Sequence, residues 1–235
     1  MKRFECRAIL FDLDGVLVDS RAYVEEQWRR WAVSKNLPVE PFLRVCHGRR
    51  ALETIRLGAP HLDAAAEVAA FRPDNVPIRT AIGPIDGAAA LLPLLPPESW
   101  AVATSGSRAM AVARLEEAGL PLPQVLICAE DVQHGKPDPH VYLLAAAAVA
   151  APPSECLVVE DAPAGIQAAR AAGMQVVGLT TTHSRGELQA DAWASSLAGI
   201  QLEGIVQGPT GTRLIRLLVP QDGDGLDLAG EARLK

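Results

Sequence analysis

Little in this 235-residue chain points to disulfides, a membrane or a nucleic-acid partner. Its four cysteines, Cys6, Cys46, Cys128 and Cys156, form no CxxC pair and no zinc-type spacing, so they read as reduced, mostly buried thiols. The most apolar later run, LLAAAAVAA at 143–151, is too short to span a bilayer and reads as an alanine-rich helix. The opening residues, MKRFECRAI, are too polar for a signal peptide. Lys and Arg number 22 against 28 Asp and Glu, a net charge of −6, which argues against the basic surface that nucleic-acid binders carry. No internal repeat or low-complexity segment is evident. The expectation is a soluble, cytoplasmic protein, by default a monomer, with no nucleic-acid or membrane partner.

What is present is enough apolar residue, 49%, to bury a sizeable core, in one large domain or a core with an insert. Short apolar runs at Ala8–Phe11, Trp100–Ala103, Val125–Cys128, Cys156–Val159 and Gln175–Leu179 read as strands buried on both faces. Between the later four lie helix patterns at Ser107–Ala118, His140–Ala150 and Pro163–Ala172, two of them stopped by Gly119 and Gly173. That rhythm predicts an α/β fold, a doubly wound, mainly parallel sheet with helices on both faces. The first strand breaks the rhythm. About eighty residues follow Phe11 before the next strand, and Ser20–Lys35, Ala51–Leu57 and Leu62–Ala70 are helical in pattern. The expected division is therefore a core of residues 1–18 and 84–206, a helical cap at 19–83, and a tail at 207–235. In that tail Leu214–Val219 could form an edge strand, and PQDGDGLDLAGEARLK reads as a loosely ordered end.

The chemistry gathers where the strands end. In open parallel sheets ligands bind outside the carboxyl ends of the strands, near a topological switch point. The first strand delivers Asp12 and Asp14 in FDLDGVLVDS, and the second Thr104, Ser105 and Gly106. The loop EDVQHGKPDP brings Lys136, and the fourth strand Glu160 and Asp161. Four carboxylates cannot all remain ionised in one pocket without a cation. An oxygen-only donor set with no His or Cys favours a hard ion, Mg²⁺ best of all. Mg²⁺ beside an ammonium and a hydroxyl makes a receptor for a phosphoryl group, and a remaining carboxylate can be a nucleophile.

The four stretches DLDGV (12–16), ATSG (103–106), GKPDP (135–139) and VVEDAPAGIQAA (158–169) closely resemble the signatures of the haloacid dehalogenase superfamily, in order. The likeness covers roughly residues 5 to 185. It implies a Rossmann-like core with an α-helical cap and a small phosphorylated metabolite as substrate. It further implies Asp12 as nucleophile and Asp14 as acid and base, with Thr104 and Lys136 on the phosphate. Mg²⁺ is implied on Asp12, the Asp14 main-chain carbonyl and Asp161, with Glu160 a ligand or a neighbour of one. The dehalogenases themselves lack the second acid, so Asp14 implies phosphoryl transfer. The stretch CHGRRALETI supplies the cap's substrate-binding candidates, His47, Gly48 and Arg49, which join Ser105 and Gly106 of the core. Arg49 and Arg50 could equally open a cap helix and lie in solvent.

Two competing readings follow from the same motifs. β-Phosphoglucomutases share them but carry a histidine ten residues after the second aspartate and an arginine three after the cap glycine. Here those positions are Val24 and Ala51, which favours a phosphatase over a mutase. CHGRRALETI together with WAVATSGS, GKPDP and EDAPAG resembles the phosphatases of 2-deoxyglucose 6-phosphate, glycerol phosphate and related polyol phosphates. Receiver domains of signalling systems also combine acids, Mg²⁺, a Thr or Ser and a Lys. They are about half this length and lack both the insert and the second acid.

Overall fold

Ala8–Phe11 is buried at all four positions, and its alternate side chains enter two different cores. Ala8 and Leu10 face one layer of helices, while Ile9 and Phe11 face the other. The computed structural model describes residues 1–70, 82–208 and 211–220. Its first half runs β1 (Lys2–Cys6), β2 (Ala8–Phe11), β3 (Val18–Asp19), α1 (Arg21–Ser34), α2 (Glu40–Leu43), α3 (Ala51–Gly58), α4 (Ala64–Ala70) and β4 (Gly83–Pro84). Then come α5 (Ala88–Leu91), β5 (Trp100–Ala103), α6 (Arg108–Glu117), β6 (Leu126–Ile127), α7 (His140–Ala148), β7 (Cys156–Glu160), α8 (Pro163–Ala171) and β8 (Gln175–Leu179). The chain ends in β9 (Ala192–Ala194), β10 (Gln201–Gln207) and β11 (Arg213–Val219).

Six strands pair in parallel in the order β6-β5-β2-β7-β8-β9, so connections leave β2 in both directions. That makes β2 the switch point of a doubly wound sheet and opens a crevice beyond its carboxyl end. Helices α7 and α8 bury Tyr142, Ala145, Ile166 and Ala169 on one face. On the other, α6 contributes Ala111 and Leu115. Ser107 caps α6 by accepting from the Met110 N–H at 3.3 Å.

The second sheet is antiparallel, β1-β11-β10, and packs Phe4, Cys6, Ile215 and Leu217 onto the α6 side of the core. This corrects the expectation for the tail. Residues 213–219 form the central strand of that sheet, between β1 and β10, and not an edge strand. The expected boundary at 207 falls at the end of β10 and separates it from its partner β11. Residues 221–235 of the expected tail lie outside the described residues.

The chain leaves the parallel sheet through β3 and returns through β4, which pair antiparallel as a two-stranded neck. The helical block beyond the neck has its own core. There Trp28 stacks on Phe42 with ring centroids 6.0 Å apart, and Trp31 meets both rings edge-on. Aromatic contacts of this kind are worth about 0.5–1.5 kcal/mol each beyond their buried area. Residues 71–81 of the expected cap fall outside the described residues. No helix among the described residues is long and apolar enough to cross a membrane.

Candidate active site

Asp12 follows the last residue of β2, and its N–H bonds the Val159 carbonyl of β7 at 3.0 Å, so it continues the sheet. The chain then turns on Gly15, whose φ of +78° suits glycine. A Cβ there would lie 2.1 Å from Asp161 Oδ2, so this turn also lets the β7 loop close against the β2 loop. Asp12 is 3% exposed and Asp14, on the turn itself, is half-buried.

Lys136 is 1% exposed and uses its three protons on three acceptors: Asp12 Oδ1 at 2.5 Å, Glu160 Oε1 at 2.8 Å and the Ala103 carbonyl at 3.1 Å. Glu160 accepts further bonds from the Tyr142 hydroxyl at 3.0 Å and from the Asp161 and Ala162 N–H groups at 2.8 Å each. Both Glu160 oxygens are thus taken. Of the two expected roles, ligand of the metal or neighbour of a ligand, this bonding favours the neighbour: Glu160 anchors Lys136 and the β7 loop beside Asp161. Asp138 accepts from the His140 N–H at 2.9 Å, at the start of α7.

Burial dominates the electrostatics. It pushes Asp12 up to about 7, with Lys136 opposing and Glu160 and Asp14 reinforcing. Asp161 is raised well above the usual carboxylate range, by burial first and then by Glu160 and Asp12. Burial would lower the Lys136 ammonium, but Asp12 and Glu160 outweigh it and hold it well above its ordinary value.

Among the described residues, no three His, Cys, Asp or Glu side chains converge as a ready-made metal group. The charge balance nevertheless fits a cation. Three buried carboxylates, Asp12, Glu160 and Asp161, face one buried ammonium. Asp161 also keeps one oxygen, Oδ1, buried with no partner, while its Oδ2 lies 2.5 Å from the Thr182 hydroxyl. An unpartnered buried carboxylate oxygen beside Asp12 is a place for a hard ion such as Mg²⁺.

Above this floor lies a cavity of about 570 Å³. From the core side Asp12, Asp14, Thr104, Ser105 and Gly106 line it, and from the helical block His47, Gly48 and Arg49. Thr104 Oγ1 accepts from the Gly106 N–H at 3.0 Å. The Ser105 hydroxyl donates to the Gly48 carbonyl at 3.0 Å, so it joins the two halves. Gly48 has φ +73°, and a Cβ would lie 2.6 Å from that of Ala162. His47 Nε2 lies 3.5 Å from Glu25, and burial lowers the imidazole's pKa. Arg49 makes one long bond, 3.4 Å, to the Val45 carbonyl. Arg50 is not in solvent. It pairs with Glu53 and donates to the Val132 and Gln133 carbonyls at 3.0 Å, clasping the loop that carries Lys136.

Sequence reasoning passed over two cavity residues, Gln27 on α1 and Arg114 on α6. Arg114 is 5% exposed and forms an ion pair with Asp14 Oδ1, which also accepts from the Ser20 hydroxyl at 2.5 Å. A lone Arg or Gln inside a helix carries no motif, so no local signal marked either one.

The family model for haloacid dehalogenase-like hydrolases matches residues 6–173. The chain is 43% identical over 177 residues to hexitol phosphatase A of Escherichia coli (strain K12), covering 73% of this chain and 82% of that protein. It is 37% identical over 188 residues to glycerol-1-phosphate phosphohydrolase 2 of Saccharomyces cerevisiae (strain ATCC 204508 / S288c), covering 74% and 75%. A solved hydrolase from Pseudomonas syringae matches with a TM-score of 0.74 at 29% identity, over 81% of this chain and 94% of that one.

Proposed function

The chain belongs to the haloacid dehalogenase-like hydrolases, and from that premise we propose that it hydrolyses a small sugar or polyol phosphate through a phosphoaspartate at Asp12. It is a phosphoric monoester hydrolase, with hexitol and glycerol-1-phosphate phosphatases among its relatives. The observation that carries the reading is the placement of Asp12. Its carboxylate is fixed by Lys136 at the switch point of the sheet and forms the floor of a cavity roofed by the helical block.

The chain's own groups account for the steps. Lys136 holds Asp12 Oδ1, which leaves the other oxygen to attack phosphorus in line and form the acyl phosphate as the ester P–O bond breaks. Asp14, two residues on and facing the same cavity, gives its proton to the departing alkoxide. It then takes one from the water that cleaves the acyl phosphate, releasing inorganic phosphate and restoring Asp12. Thr104 and Lys136 stabilise the charge on the transferring group. Asp12, Asp161 and the Asp14 main-chain carbonyl would hold Mg²⁺, which when bound supplies positive charge to the phosphoryl oxygens. The helical block acts as a cap that excludes water while the phosphoryl group moves. The positions where a mutase has its histidine and arginine, Val24 and Ala51, present apolar side chains to the cavity, in keeping with hydrolysis.

A phosphate-release screen over hexitol, deoxyhexose, glycerol, pentose and nucleotide monophosphates with Mg²⁺ tests the proposal. Polyol and sugar phosphates should lead, and Asp12→Asn should lose essentially all release, p-nitrophenyl phosphate included. Release by Asp12→Asn well above background would overturn the nucleophile assignment.

A further inference from the structure

Besides His47 Nε2, whose role depends on its tautomer, two buried nitrogens of the cavity that can only donate have no acceptor. Gln27, 7% exposed, leaves Nε2 unpaired, and Arg114, 5% exposed, leaves Nη2 unpaired. Both residues line the same cavity, one from the helical block and one from the core. A buried donor left without an acceptor destabilises the fold. The cavity wall mixes apolar residues such as Val24, Leu52, Val68 and Met110 with the polar groups of the core, and none of those polar groups accepts from either nitrogen. Both donors are therefore open to an acceptor carried by a molecule in the cavity.

We propose that Gln27 and Arg114 are specificity-determining residues that read hydroxyl oxygens on the leaving group, so that the preferred substrate is polyhydroxylated. The proposal rests on the phosphatase reading above. Arg114 shares Asp14, the group that serves the ester oxygen, so it reads the hydroxyl nearest the ester bond. Gln27, on α1, reads one further along the chain of carbons. The sugar and polyol phosphates of that reading offer hydroxyls and no carboxylate beside the ester, so the acceptor is a neutral hydroxyl. The apolar wall then packs the carbon face of the same molecule.

The test is a matched pair of substrates, sorbitol 6-phosphate and n-hexyl phosphate, with phosphoglycolate as the carboxylate arm. Wild-type enzyme should favour sorbitol 6-phosphate in kcat/KM over both. Gln27→Leu should reduce the sorbitol-to-hexyl ratio about threefold to tenfold, and Arg114→Lys by about tenfold or more, in line with neutral and charged donors. Gln27→Leu touches neither Asp14 nor Asp12, and its melting temperature should hold because it removes an unpaired donor. Should that variant fold poorly, Gln27→Asn, which shortens the reach but keeps the amide, should show the same loss of ratio. A folded variant with an unchanged ratio makes the residue structural and overturns the proposal. So does a wild type that prefers n-hexyl phosphate or phosphoglycolate. Release from none of these compounds nor any in the wider screen would instead sink the phosphatase reading.

Discussion

Without a metal ion, Asp12 keeps its proton to about pH 7, against an ordinary value of 3.8. Between those two values the folded protein holds a proton that the unfolded chain has lost, so stability falls as pH rises through the window. Asp161 shifts in the same direction. Mg²⁺ relieves the repulsion only once the carboxylates are ionised, so the gain in melting temperature on adding it should be larger at about pH 8 than at about pH 5.5. Equal gains at both would contradict the placement of the ion on Asp12 and Asp161. Lys136 offers a second check at this scale. Replacing it with Met leaves Asp12 and Glu160 buried without their cation, and denaturant unfolding should show a loss of about 3–5 kcal/mol. A loss below about 1 kcal/mol would mean the ion pairs are not what holds the floor together. Asp12, Asp14 and Lys136 were legible in the sequence because unusual residue types stand at the ends of strands. Glu160 was legible as a site residue but not in its bonding, since only the fold shows Tyr142 and two N–H groups using up its oxygens. Gln27 and Arg114 were not legible at all, because their meaning lies in which cavity their helices face.

At the scale of elements, the seam between the helical block and the core is made by Arg50, Gly48 and Ser105. Both arginines line the cavity, but Arg50 uses its guanidinium on Glu53 and the lysine loop, whereas Arg49 makes one long bond to the Val45 carbonyl. Arg50→Met should therefore lower kcat/KM about tenfold or more on sugar phosphate and p-nitrophenyl phosphate alike, because it loosens the closed seam whatever lies inside. Arg49→Ala should cost the sugar phosphate more than p-nitrophenyl phosphate. The same selective loss in both variants would show that Arg50 also meets substrate. The βαβ elements were readable because each strand is a short apolar run and each helix ends on a glycine or proline. The β1-β11-β10 sheet was not. Lys2 pairs with Val219 from the far end of the chain, and β10 alternates exposed and half-buried side chains in QLEGIVQ. Such a strand has no signal apart from the partner that it meets.

Taken as a whole, the molecule gathers residues from four strand ends around the switch point at β2 and roofs them with a helical block on a two-stranded neck. The parallel sheet dictates that gathering, which is why motifs scattered over some 150 residues could be read as one site before any coordinates. The central claim is that the phosphoryl group passes through Asp12, and it is tested most directly by acid-quenching the enzyme with substrate and mapping the trapped phosphoryl group by mass spectrometry. The account predicts the added mass on the peptide containing Asp12, present with Mg²⁺ and absent in Asp12→Asn. A phosphoryl group on any other residue, or substrate turnover with a phosphorylated Asp12 never forming under single-turnover conditions, would contradict it.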